Sequence, residues 1–310
     1  MENAIQVRNL TKKYKDFTLD NISFELPCGM VLGLIGENGA GKSTLINAML
    51  GIADSEYEQI SILGKDLRTQ TKLAKEDLAA IFCDSHYDLS LTPLFVGKML
   101  SRIYKNWDQK KYMEYLKRFR LPEKKRLKKF STGMRVKMEF AAALSHSPKL
   151  LILDEATSGL DPVFRDEILD ILREFTEEED HAVLMSSHIT SDLDKIADYI
   201  AYLHEGKLLF VKTYDDIRNN YGIINCGRDL FESLSRDCIV AYRKEAYSYR
   251  MLVNDRQKIR KIFPDVEMEP ASVEDIMLFY IKGEKIRCSD IWKLRTNCVK
   301  WWKACPWEAG

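Results

Sequence analysis

The run Gly36–Glu37–Asn38–Gly39–Ala40–Gly41–Lys42–Ser43 constrains this chain more than any other stretch, because it meets the pattern G-x-x-x-x-G-K-[ST] at every fixed position. Its glycines let successive backbone N–H groups curl toward a single anion. Lys42 adds a positive charge for outer phosphates, and the Ser43 hydroxyl suits Mg²⁺. The flanks agree. Met30–Val31–Leu32–Gly33–Leu34–Ile35 reads as a buried strand, and Ser43 to Leu50 as a helix whose positive N-terminal end faces the loop.

Strand-like runs at Ala4–Val7, Leu32–Ile35, Leu150–Leu153 and Ala182–Met185 alternate with helical patterns, which predicts an α/β core with a largely parallel sheet. Ile60–Leu63, followed by Gly64, reads as a short strand and turn. Between about Cys83 and Phe130 the pattern is helical, over Val96–Tyr104 and Gln109–Phe119. From Thr213 onward short mixed signals appear, with strands expected at Ile239–Tyr242 and Met251–Val253 and a Ser272-capped helix over Ser272–Tyr280. The expected organisation is therefore a domain over 1–212 with a helical subdomain at about 83–130, an accessory region over 213–283, and a tail over 284–310.

Lys+Arg and Asp+Glu are equal at 47 each, so nothing in the overall balance favours nucleic acid or an acidic substrate. The basic stretch Arg120–Lys129 reads as a solvated surface. The 7 cysteines contain no C-x-x-C pair, which suits a reducing compartment and gives no zinc pattern. No window is apolar enough to span a membrane, and the N-terminus lacks a signal peptide's apolar core. A role at a membrane would need a partner or the protein's own surface.

Two further stretches carry chemistry. Leu150–Leu151–Ile152–Leu153–Asp154–Glu155 is an apolar strand that ends in paired carboxylates, at the edge where an α/β sheet gathers its reactive groups. Asp154 is positioned for the Mg²⁺ shell, and Glu155 to polarise a water for attack on a γ-phosphate. Ser131, in Phe130–Ser131–Thr132–Gly133–Met134–Arg135, is a good N-cap and opens a helix suited to an anion.

In this order the motifs resemble those of the ATP-binding subunit of ATP-binding-cassette (ABC) transporters over roughly residues 3–212. Gly36–Thr44 matches the phosphate loop and Phe130–Met134 stands at the L-S-G-G-Q signature. Leu150–Glu155 matches the Walker B strand, Ser158–Gly159–Leu160–Asp161 the D-loop, and Ser186–Ser187–His188 the switch-histidine loop. The resemblance implies a P-loop NTPase core with an antiparallel β subdomain and a helical insertion, followed by a small C-terminal α+β region. It implies ATP and Mg²⁺, and a head-to-tail pair of subunits with each ATP between one phosphate loop and the partner's signature.

On that resemblance Tyr14 would stack on adenine, and Gly36, Asn38, Gly39, Ala40, Gly41, Lys42, Ser43 and Thr44 would hold the phosphates. Ser131 and Gly133 would meet the γ-phosphate across the interface, and Asp161 would link the two sites. Glu155 would be the general base with His188 beside it, and Ser43, Asp154 and Asp84 the Mg²⁺ ligands. Either Cys83 or Asp84 stands at the Q-loop position, where the family has Gln. Thr132 replaces a signature Gly and Met134 replaces its Gln, so pairing is expected to be weaker than with the usual signature.

The chain has no spanning segment of its own, so the permease is expected as a separate polypeptide, with this subunit peripheral on the cytoplasmic face of the plasma (inner) membrane. Val96–Tyr104 would line a groove for that partner, or form internal core. The bacitracin-resistance-like and peptide-exporter branch implies an exporter of peptides or amphipathic toxins. The alternatives are a soluble ATPase acting on ribosomes or DNA, and a non-hydrolysing regulatory module, against which the intact Glu155 and His188 argue. In the tail, Ile291, Leu294, Cys298, Trp301 and Cys305 repeat at helical spacing among Lys and Arg, which reads as a surface-lying membrane helix, as a helix packed on its own domain, or as a disordered end.

Overall fold

The computed structural model describes residues 2–82, 87–234 and 236–284, and the chain divides into two compact units, one running to Tyr214 and one starting at Asp215. Cys83, Asp84 and the tail beyond Glu284 lie outside the described residues.

In the first unit β1 (Asn3–Lys13) and β2 (Thr18–Pro27) precede β3 (Val31–Ile35) and α1 (Lys42–Met49). Next come β4 (Gln59–Ile62), β5 (Lys65–Asp66), α2 (Thr71–Glu76) and β6 (Leu78–Phe82). The helices α3 (Pro93–Leu100) and α4 (Gln109–Arg118) lead to α5 (Thr132–Leu144). The unit closes with β7 (Leu150–Asp154), α6 (Pro162–Thr176), β8 (Ala182–Ser186), α7 (Thr190–Ile196), β9 (Tyr199–His204) and β10 (Lys207–Thr213).

The central sheet runs β10-β9-β3-β8-β7-β6, parallel except for the β10 edge. Every residue of β3, β7 and β8 is buried. Their unbroken apolar runs are what a strand covered on both faces requires. A second sheet, β2-β1-β4-β5, is antiparallel throughout. The Ala4–Val7 run, expected in the parallel core, lies in this second sheet. β1 reaches β2 through a tight turn in which the Tyr14 N–H donates to the Phe17 carbonyl, 2.7 Å away. A connection that short can join only antiparallel neighbours.

The helical run expected over Val96–Tyr104 stops at Leu100, and the chain leaves it through turns in which Arg102 and Ile103 donate to Met99 and Leu100. Val96 and Leu100 are buried, whereas Phe95 and Ile103 are exposed, so this segment divides between core and surface. Tyr112 of α4 is fully buried, its hydroxyl donating to the Pro93 carbonyl at 3.0 Å.

In the second unit α8 (Tyr214–Asn220), β11 (Gly222–Cys226), α9 (Arg228–Ser233), β12 (Ile239–Lys244), β13 (Tyr249–Val253), α10 (Arg256–Ile262), β14 (Glu269–Pro270) and α11 (Val273–Lys282) follow in order. Their strands form an antiparallel sheet, β12-β13-β11-β14, over a core that includes Ile224, Met251, Val253 and Ile259. α11 opens with a capping box, in which Ser272 and Asp275 satisfy each other's backbone N–H groups.

Candidate functional site

The loop after β3 turns at Gly39 (φ 84°) and Gly41 (φ 106°), conformations that side chains rarely adopt. At Gly41 space forbids one as well, since a Cβ would lie 2.6 Å from the Phe17 ring. α1 then begins at Lys42, whose buried Nζ donates to the carbonyls of Gly36 (2.8 Å) and Glu37 (3.2 Å). Lys42 also stands 3.3 Å from Glu155 Oε1.

These residues form one wall of an open cleft of about 540 Å³, with Asn38, Gly39, Gly41, Lys42, Ser43 and Thr44 on the loop side. Glu37 and Phe17 extend that wall, and Glu155, Ser158 and His188 complete the lining. Tyr14, expected against the base, does not line the cleft and is half exposed at the turn that Phe17 closes. Phe17 carries no motif, and nothing in the sequence separates it from other aromatic residues.

Glu155 reaches the cleft because β7 and β8 pair in register, Asp154 opposite Ser186. Glu155 is in the left-handed conformation (φ 53°), uncommon for a residue with a side chain. Its N–H donates to Ser186 at both Oγ (3.1 Å) and the carbonyl oxygen (3.2 Å). Its Oε2 accepts the His188 N–H at 3.3 Å and also meets the His188 ring at Nδ1. Asp154 is buried and accepts from Ser186 Oγ at 2.6 Å.

Ser43 and Asp154 offer hard oxygen donors, the chemistry Mg²⁺ prefers. Among the described residues no group of three or more His, Cys, Asp or Glu could hold a metal. Asp84, the remaining expected ligand, falls outside the described residues.

The other expected site residues gather elsewhere in the same unit. Ser131 caps α5 by accepting the Met134 N–H at 3.2 Å, and Thr132 is exposed on its first turn. A Cβ on Gly133 would stand 4.0 Å from the Gly159 carbonyl, so this helix start abuts the loop after β7. In that loop Asp161 caps α6, accepting the Phe164 N–H at 3.0 Å, and pairs with Lys137 of α5 at 3.5 Å. The Phe164 N–H, helped by Lys137, holds the Asp161 carboxyl below the usual range. Among the described residues, none of Ser131, Gly133 and Asp161 lines the phosphate-loop cleft.

A glycine-rich loop between a parallel strand and a helix, facing a strand-end carboxylate, defines a P-loop nucleoside-triphosphatase. The comparisons narrow this. A family model described as ABC transporter matches residues 19–158. The lantibiotic transport ATP-binding protein SrtF of Streptococcus pyogenes is 33% identical over 236 residues, 74% of this chain and 98% of that protein. The bacitracin transport ATP-binding protein BcrA of Enterococcus faecalis is 32% identical over 212 residues, 67% of this chain and 69% of that protein. Among solved structures, the ATP-binding subunit of an ABC transporter superposes with a TM-score of 0.64 at 28% identity, covering 69% of this chain and 92% of that one.

The chain belongs to the ATP-binding proteins of ABC transporters. Its activity is ATP hydrolysis coupled to transport. Members of the family dimerise and work with transmembrane permease subunits. Among the described residues no helix is long and apolar enough to cross a membrane.

Proposed function

We infer that this chain powers the export of a peptide or amphipathic toxin, as one of two identical subunits beneath a separately encoded permease at the cytoplasmic face of the membrane. The names of the relatives support the substrate class, since SrtF is a lantibiotic and BcrA a bacitracin transport protein. The observation that carries the catalytic reading is the convergence of Lys42, Glu155 and His188 on one cleft beside Ser43.

In that cleft Lys42 exchanges its contact with Glu155 for the outer phosphates, a charge-assisted contact with an oxygen acceptor of the same sign. Glu155, released from Lys42, takes a proton from the attacking water, and His188 steadies the carboxylate through its N–H. Gly36, Asn38, Gly39, Ala40, Gly41 and Thr44 surround the phosphate chain with backbone donors at the start of α1. Phe17, which lines the cleft, flanks the base end. Mg²⁺, held by Ser43 and Asp154, would supply charge neutralisation between the phosphates.

Ser131 and Gly133 meet the γ-phosphate bound to a second copy, with Asp161 at the seam. Their position away from the phosphate-loop cleft supports this division of labour, because one subunit then holds half of each site.

Co-purification tests the reading. The chain, expressed with the membrane proteins encoded beside it, is expected to come down with an integral membrane protein that alters its ATPase rate in lipid. Lantibiotic-like peptides are expected to stimulate that complex. Purification alone, with stimulation by ribosomes or DNA, would overturn it.

A further inference from the structure

Ser186 lies behind the cleft and bonds both residues of the strand-end acid pair. It is the last residue of β8 and fully buried. Its hydroxyl has one hydrogen to give and spends it on Asp154 Oδ1 at 2.6 Å. The same oxygen accepts the Glu155 N–H at 3.1 Å. One atom therefore touches both carboxylate residues at the strand end, giving to the side chain of one and receiving from the backbone of the next.

We propose that Ser186 is a positioning residue for ATP hydrolysis, its hydroxyl orienting the Asp154 carboxylate toward Mg²⁺ and holding the Glu155 backbone in the left-handed turn that brings the base to the cleft. The first effect follows from occupancy. With Oδ1 accepting from a fixed hydroxyl, the carboxylate is held in one rotation, and Oδ2 keeps both its lone pairs for a cation. The second follows from strain. A non-glycine residue at φ 53° is strained and persists where its surroundings fix it. Here two acceptors on Ser186 share the Glu155 N–H. The backbone carbonyl survives any substitution, so the hydroxyl is the part a mutation can remove.

A purely structural serine behaves differently. Removing a buried hydroxyl that only filled space would lower stability and leave the metal dependence of the reaction alone. Removing one that aims Asp154 weakens the use of Mg²⁺ and slows the chemical step, while the phosphate loop still binds nucleotide. Changes to groups that orient metal ligands typically cost about tenfold to hundredfold in affinity or activity.

The inference rests on the roles proposed for Asp154 and Glu155, so Glu155→Gln is measured beside Ser186→Ala and Ser186→Thr in the full-length chain. The readouts are kcat, KM for ATP, the Mg²⁺ concentration for half-maximal rate, binding of a fluorescent ATP analogue in EDTA and in Mg²⁺, and the melting temperature. Ser186→Ala is expected to lose about tenfold or more in kcat and to need severalfold more Mg²⁺. Its analogue affinity in EDTA should stay within about twofold of the parent's, and only its Mg²⁺-dependent gain in affinity should shrink. Ser186→Thr, which keeps the hydroxyl, should recover the Mg²⁺ dependence.

Parental Mg²⁺ dependence in Ser186→Ala, or equal impairment of the alanine and threonine variants, would overturn the inference. If the alanine variant does not fold, the decision passes to the threonine variant, where a parental Mg²⁺ requirement supports the hydroxyl and a raised one overturns it. Rapid turnover by Glu155→Gln would instead remove the catalytic reading itself, which keeps the two failures apart.

Discussion

Phe17 lines the phosphate-loop cleft, whereas Tyr14, expected to stack on the base, does not. The Phe17 ring packs on Gly41, while Tyr14 stands on the outer side of the same turn beneath the Lys12 ammonium. Stacking of a nucleobase on an aromatic ring is worth about 1–3 kcal/mol. Phe17→Ala should therefore raise KM for ATP about fivefold or more and leave kcat within about twofold. An unchanged KM in that variant, with a raised one in Tyr14→Ala, would return the base to Tyr14. His146 gives a second test at this scale. It is buried against Tyr104, ring centroids 4.0 Å apart, and burial pushes its pKa down to about 4. The unfolded chain takes up this proton near the ordinary histidine value, the folded one only near the lowered value. The stability contributed by the neutral ring is thus complete above about 6.5 and lost as the pH falls toward about 4. Between pH 7 and 5 the loss is roughly 2 kcal/mol. Urea unfolding should show that excess sensitivity to acid in the parent, and His146→Asn should remove it. Identical pH profiles would contradict it.

At the scale of elements, the helical subdomain depends on one close fit. In α3 a Cβ on Gly97 would lie 2.6 Å from the Tyr112 ring of α4, whose hydroxyl is already fixed to Pro93. Gly97→Ala cannot be absorbed by a flexible side chain, so overpacking should cost about 1–3 kcal/mol, measured by urea unfolding. A neutral or stabilising effect, as helix propensity alone would give, would show that the fit is loose. Elements were legible in proportion to how local their causes are. The phosphate loop, the acids after β7 and the Ser272 cap each announce themselves within a few residues. The sheet that holds β1 does not, because Ala4–Val7 reads alike in either sheet and the pairing with β2 and β4 decides. The Ser186 contact with Asp154 and the place of Phe17 were silent for the same reason. The Ser186 bond to Asp154 joins residues 32 apart in sequence through strand register, and the Phe17 contact with Gly41 comes from folding one sheet against the loop of another.

For the whole molecule, the essential feature is that the groups proposed for one ATP site do not all lie in one place. The first unit carries the phosphate-loop cleft with Glu155 and His188, and separately a helix start at Ser131 joined to Asp161 through Lys137. Two copies set head to tail would complete two sites, and hydrolysis would release the pair. The measurement that tests this most directly is the behaviour of Glu155→Gln in ATP, followed by light scattering and phosphate release together. The account predicts that the variant binds ATP, hydrolyses it at least about a hundredfold more slowly than the parent, and shifts to twice the monomer mass while ATP is present. Turnover at the parent's rate, or a monomer that persists in saturating ATP, would contradict it.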